Sequence, residues 1–116
     1  MNKKNSLINL GCRLNIYEGE IIKNHLNNND IKNVTVINSC AVTAEAEKKV
    51  AYEIRKAKRT NPENKIIVTG CAAQINPKKY HILKEVDLVL GNKEKLLSDV
   101  WCNLNFSKPI QVDDIL

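Results

Sequence analysis

The sequence predicts an α/β domain with a mostly parallel sheet, and three observations carry that expectation. Short apolar runs recur along the chain, segments of helical periodicity separate them, and the two alternate at about the length of a βαβ unit. Strands connected in this way are expected to run parallel, with right-handed crossovers.

The first run is SLINL, Ser6 to Leu10, followed by VTVIN, Val34 to Asn38, and KIIVTG, Lys65 to Gly70. They show little alternation, as strands covered on both faces do. A fourth, VDLVLG, Val86 to Gly91, has the same character and also ends at a glycine. Between the first two, Tyr17, Ile21, Ile22, His25 and Leu26 share one helical face ahead of the turn NNND, Asn27 to Asp30. The second helix presents Val50, Ile54 and Ala57, with Thr43 as its N-cap, Glu45 and Glu47 in its first turn, and Asn61-Pro62 to stop it. A weaker helix follows Pro77, and another runs from Lys93 to about Leu104. Pro109 breaks the pattern, and PIQVDDIL is either a last strand or a linker. The expected layout is one small Rossmann- or flavodoxin-like domain over residues 1–104, with about four strands flanked by helices. Residues 105–116 follow as a linker or the start of a connection.

A chain of 116 residues is long enough to bury a core as one domain. Its start, MNKKNSLINL, has no continuous apolar stretch of the secretory kind, and no run is long enough to span a bilayer. The expectation is a cytoplasmic protein with no membrane partner, in which thiols stay reduced and serve as ligands or nucleophiles more often than as bridges. The formal net charge is +5, and much of the positive charge falls in KKVAYEIRKAKR, Lys48 to Arg59. A solvated helix face and a surface for a polyanion both account for such a run.

The four cysteines, Cys12, Cys40, Cys71 and Cys102, are separated by 28, 31 and 31 positions. The first three each follow a small residue (Gly11, Ser39, Gly70) at the end of an expected strand, and each precedes a helix start. In a parallel sheet all three emerge at the carboxyl edge, where open α/β sheets bind ligands. Unpaired N–H groups at helix starts favour thiolates, and clustered thiolates call for a metal partner. Structural zinc takes four ligands, often in C-x-x-C pairs, which are absent here. Three ligands on a 4Fe–4S cluster would leave one iron without a protein ligand, whereas most such clusters are closed by four cysteines. Cys102, in SDVWCNLNF, reads as a small buried hydrophobe within a helix and is left outside the site. Three readings stay open at this point. One is an iron–sulfur site. The second is a non-catalytic zinc module with Cys102 or His81 as fourth ligand. The third is a basic, Rossmann-like RNA-binding module with inert thiols. A phosphate-binding loop is excluded because only Arg13 follows Cys12, without a cradle of amides, and a disulfide redox site would need C-x-x-C.

LGCRLNIYEGE (Leu10 to Glu20), INSCAVTAEAEKK (Ile37 to Lys49) and VTGCAAQ (Val68 to Gln74) together resemble the N-terminal domain of the radical-SAM methylthiotransferases. The resemblance runs from about Ser6 to Asn92. It implies an auxiliary 4Fe–4S cluster on Cys12, Cys40 and Cys71 that supplies sulfur for a methylthio group. It also implies a radical-SAM domain with a second 4Fe–4S cluster on C-x-x-x-C-x-x-C, which cleaves S-adenosylmethionine, and a C-terminal domain that grips RNA. Neither motif-bearing domain is present in this sequence, so the expectation is an excised domain or truncated product, inactive alone, with residues 105–116 leading to the missing radical-SAM domain. Arg13-Leu14-Asn15-Ile16-Tyr17-Glu18 and Val42-Thr43 resemble the branch acting on threonylcarbamoyl-adenosine in tRNA, where carbon 2 beside the anticodon gains the methylthio group. Asn15 and Gln74 match motif positions near the cluster, with helix capping as the alternative for Asn15. Lys48, Lys49, Arg55, Lys56 and Arg59 are candidates to face the tRNA anticodon arm. The interval from Cys12 to Cys40 is shorter than in many relatives, which often fit an additional strand there. Gly19 stands where serine is common, weakening the first helix by about 1 kcal/mol relative to alanine.

Overall fold

A computed structural model of the chain describes residues 5–10, 13–28, 33–39, 44–70, 73–74, 77–91, 101 and 110–111. The elements are β1 (Ser6–Leu10), α1 (Arg13–Asn28), β2 (Val34–Ser39), α2 (Ala44–Thr60), β3 (Lys65–Gly70), α3 (Pro77–His81), β4 (Leu88–Leu90) and β5 (Ile110–Gln111). The strands form one sheet in the order β1-β2-β3-β4-β5, and every pairing is parallel. The four expected strands are present. The two-residue β5 in the tail adds a fifth, the strand alternative for that segment.

The apolar runs read as doubly covered strands because they are. All of β2 and all of β3 after Lys65 are buried, and their side chains divide by the two-residue period of a strand. On one face Ile37, Ile66, Val68 and Val89 pack with Val50, Ile54 and Ala57 of α2 and Tyr80 of α3, flanked by Ile8 and Leu10. On the other, Val34, Val36, Ile67, Leu88 and Leu90 pack with Ile22 and Leu26 of α1 and with Trp101, flanked by Leu7. The face expected for α2 is the face observed.

For α1 the expectation needs correction. Ile22 and Leu26 are buried together with Gly19, one turn earlier, whereas Tyr17 stands 66% exposed. Tyr17 lies roughly 140° around the helix from Ile22 and roughly 180° from Leu26, so it faces away from the sheet and the buried stripe is narrower than the apolar one. The expected fourth helix lies outside the described residues except for Trp101, which is helical and 1% exposed. Thr43, the expected cap of α2, also lies outside them.

The crossover hands differ from expectation as well. β1, β2 and β3 are successive neighbours, yet α1 and α2 pack on opposite faces. The β1–α1–β2 and β2–α2–β3 connections therefore have opposite hands. α2 and α3 share one face, while α1 shares the other with Trp101, which lies between β4 and β5, so the connections divide between the two hands.

Polar side chains set the strand boundaries. The Asn5 carboxamide oxygen accepts a hydrogen bond from the Val34 amide at 3.0 Å. Asn33 enters β2 at φ 59°, a left-handed conformation that asparagine tolerates. The amide of buried Asn64 donates to Thr35 Oγ1 at 3.1 Å, tying the turn after α2 to β2. β4 starts two residues later than the apolar run suggests because Asp87 pairs differently. Its carboxylate accepts from the Ile66 amide at 2.8 Å, while its own amide donates to the Ile66 carbonyl at 2.9 Å.

Candidate functional site

The carboxyl ends of β1, β2 and β3 are level. Leu10 is the register partner of Ser39, and Ser39 of Gly70, so the last residues of three adjacent strands form one row. At ordinary strand spacing that row is about 10 Å long. Cys12 follows Leu10 by two positions, and Cys40 and Cys71 directly follow Ser39 and Gly70. The three, like Cys102, lie outside the described residues. Helical backbone resumes at Arg13, Ala44 and Ala73, so each strand end is followed closely by a helix start.

The row is tightly built where β2 and β3 meet. Gly70 has φ 108°, which L-residues with a side chain rarely adopt, and an added β-carbon would lie 2.6 Å from the amide nitrogen of Ser39. Ser39 is 1% exposed, and its Oγ has no hydrogen-bond partner among the described residues. An unpartnered buried hydroxyl is costly unless something else satisfies it. On the neighbouring strand the Thr69 hydroxyl donates to the Gly91 carbonyl at 3.3 Å, fastening the end of β3 to the chain after β4. The sequence marks Ser39 only as a small residue before a turn; its buried hydroxyl depends on α2 and β3 closing over it.

These features suit a sulfur-rich metal cluster. Three soft donors follow the row, a buried hydroxyl free to donate ends the middle strand, and Gly70 keeps its backbone clear of a side chain. Among the described residues, no group of three His, Cys, Asp or Glu is placed to hold a metal ion, and the cysteines are not among them.

Asn15 falls in the first turn of α1, inside the helix rather than at its cap, so the capping alternative does not hold. Gln74 is half-buried in the helical pair after β3. Lys48, Lys49, Arg55, Lys56 and Arg59 are all exposed on the outer side of α2. His81, the alternative zinc ligand, is the last residue of α3. Beside the site, Lys79 of α3 forms an ion pair with Glu47 of α2. Tyr80 is buried, with its hydroxyl unpartnered among the described residues; burial, and secondarily the Glu47 carboxylate, push its phenol above the usual 10.0.

No helix among the described residues is long and apolar enough to cross a membrane. A family model described as "Uncharacterized protein family UPF0004" matches residues 4–91. The threonylcarbamoyladenosine tRNA methylthiotransferase MtaB of Rickettsia prowazekii (strain Madrid E) is 50% identical over 115 residues, covering 99% of this chain and 27% of that protein. The protein of the same name from Aquifex aeolicus (strain VF5) is 40% identical over 94 residues, covering 74% of this chain and 23% of that protein. The tRNA-2-methylthio-N(6)-dimethylallyladenosine synthase of Desulfotalea psychrophila (strain LSv54 / DSM 12343) is 36% identical over 95 residues, covering 72% and 21%. The chain thus spans about a quarter of the length of the curated relatives it matches. No solved structure matches it. Its level row of strand ends and its matched residues belong together: the chain is a member of the UPF0004 family, among relatives that are tRNA methylthiotransferases.

Proposed function

We propose that this chain is the sulfur-donor domain of a tRNA methylthiotransferase, with an auxiliary 4Fe–4S cluster on Cys12, Cys40 and Cys71. The observation that carries the reading is the row Leu10, Ser39 and Gly70, which ends three neighbouring strands at one level just before the three cysteines. When bound, a cluster of this kind supplies sulfur at its iron without a protein ligand, for a methylthio group at carbon 2 of threonylcarbamoyl-adenosine beside the anticodon.

The chain's own residues then have distinct tasks. The cysteines hold the cluster as thiolates, favoured by the unpaired N–H groups of the helix starts behind them. Ser39 offers a hydrogen bond toward sulfur, and Gly70 keeps β2 and β3 close enough for the second and third cysteines to converge. Asn15 and Gln74 orient the sulfur-bearing side of the site. Cys102 takes no part. The sequence contains no C-x-x-x-C-x-x-C run, so S-adenosylmethionine cleavage falls to a radical-SAM unit outside it, with RNA gripped partly by a further domain. The chain alone does not turn over, and the whole protein acts in the cytoplasm.

Anaerobic reconstitution with iron and sulfide tests this, read by iron and sulfide counts and the visible spectrum. The expected result is a cluster in the parent chain and in Cys102→Ala, and its loss in Cys12→Ala, Cys40→Ala and Cys71→Ala. A folded, reduced chain that assembles no cluster would refute the reading. Zinc retained in air with Cys102 or His81 required would replace it with a structural zinc site.

A further inference from the structure

The outer face of α2 carries a pattern that cluster binding does not use. Val50, Ile54 and Ala57 face the sheet. At 3.6 residues per turn, the side directly opposite is centred on Tyr52, which is 55% exposed. The residues three and four positions to either side of Tyr52 are Lys48, Lys49, Arg55 and Lys56, all exposed and all cationic, and Arg59 extends the stripe by another turn. Positions three and four apart are the neighbours of a residue on a helix surface, so the ring is surrounded by positive charge. Among the described residues, ion pairs join Glu20 to Lys23 and Glu47 to Lys79, and none joins a carboxylate to this stripe. From Lys48 to Arg59 the stripe is about 17 Å long.

Glu45 and Glu53 stand four positions to either side of Lys49, as on an ordinary solvated helix face, but among the described residues neither is paired with the stripe, and such a face does not centre its cations on an exposed aromatic ring. A membrane-surface helix would need its apolar face free for lipid, and here that face is buried against the sheet. Cations around an exposed, flat aromatic are the elements of a single-stranded nucleic-acid platform, with charge for the backbone and a ring for a base. We propose that this face docks an unpaired stretch of RNA, one base stacking on Tyr52 while Lys48, Lys49, Arg55, Lys56 and Arg59 hold the flanking phosphates. The inference rests on the tRNA reading and deepens it. α2 starts at the edge of the sheet that bears the candidate cluster site, so RNA lying along it would run toward that site.

The test is fluorescence anisotropy with the intact chain and a labelled hairpin RNA carrying an anticodon loop, titrated at several salt concentrations. A fully paired duplex of the same stem serves as the second probe. The hairpin is expected to bind more tightly than the duplex. Tyr52→Ala should weaken hairpin binding roughly tenfold with an unchanged salt slope, and Tyr52→Phe should restore it. Lys56→Ala should lower the slope by about 0.7. Circular dichroism confirms that the variants fold. Equal binding by Tyr52→Ala and the parent, equal affinity for loop and duplex, or no RNA binding by the folded chain would each overturn the proposal. Displacement by polyglutamate as effective as by polyuridylate would overturn it too, assigning the stripe to an acidic protein. Cluster assembly on the cysteines is read without RNA, so that reading and this one fail separately.

Discussion

Gly70 lies so close against Ser39 that a β-carbon on it would overlap the Ser39 carbonyl oxygen and sit within 2.7 Å of its carbonyl carbon. The obstacle is backbone in a central strand and has no rotamer by which to move aside. Because φ at Gly70 is 108°, a side chain is disfavoured there twice over. Gly70→Ala should destabilise the fold by about 3 kcal/mol. Urea unfolding followed by circular dichroism measures this, and a loss well under 1 kcal/mol would mean the strand ends can spread apart.

Ser39→Ala separates a structural hydroxyl from a functional one. The Oγ is buried without a partner among the described residues, so removing it should leave the stability of the cluster-free chain within about 1 kcal/mol of the parent. If the hydroxyl donates toward cluster sulfur, the same substitution should speed cluster loss and shift the reduction potential. Air-exposure kinetics and voltammetry of the reconstituted chain read both. Matching decay and potential would assign Ser39 no part in holding the cluster.

Tyr80 makes the fold sensitive to alkali. Its phenol titrates above 10.0 in the folded chain, so the neutral form is favoured by folding. That stability is fully present below pH 10.0 and falls as the pH rises above it, because the unfolded phenol ionises first. The slope attributable to one such group is about 1.4 kcal/mol per pH unit. In Tyr80→Phe this component of the alkaline loss should vanish, while stability at neutral pH changes by less than about 1 kcal/mol. Denaturant unfolding across the alkaline range compares the two, and identical pH profiles would contradict the assignment.

Asp87 substitutes for a strand residue by using its side chain. Asp87→Ala removes the 2.8 Å acceptor of the Ile66 amide and should cost about 2 kcal/mol, with Asp87→Asn costing less because an acceptor remains. Urea midpoints for the pair would show whether the carboxylate or the Asp87 backbone anchors the start of β3.

What was legible in the sequence followed from period and composition. β2 and β3 announce themselves as unbroken apolar runs because helices cover both of their faces, and Val50, Ile54 and Ala57 mark the inner side of α2 by spacing alone. The level ends of β1, β2 and β3 were foreseeable because a parallel sheet sends every strand end to one edge. Tyr17 reads as part of the apolar stripe of α1 only because that stripe is broad; it stands across the helix from Leu26, and spacing alone does not say which edge of the stripe meets the sheet. The end of the fourth run was readable, but its start was not, since Asp87 pairs through a carboxylate. That α1 and α2 cover opposite faces between successive neighbouring strands is carried by no local pattern. The Gly70–Ser39 contact and the stranded Ser39 hydroxyl arise only when β2 and β3 are laid side by side.

Among the described strands the two borders of the sheet are unequal. β1 ends the strand order, with five residues of parallel ladder turned toward β2, whereas the opposite border is the two-residue β5. An outermost strand can serve as a template for further chain, and nature commonly blunts such borders by shortness and by lysine. Here β1 is short, and Lys3 and Lys4 stand just ahead of it in sequence. Two copies meeting at this border would bring those lysines together, and like charge disfavours such an encounter.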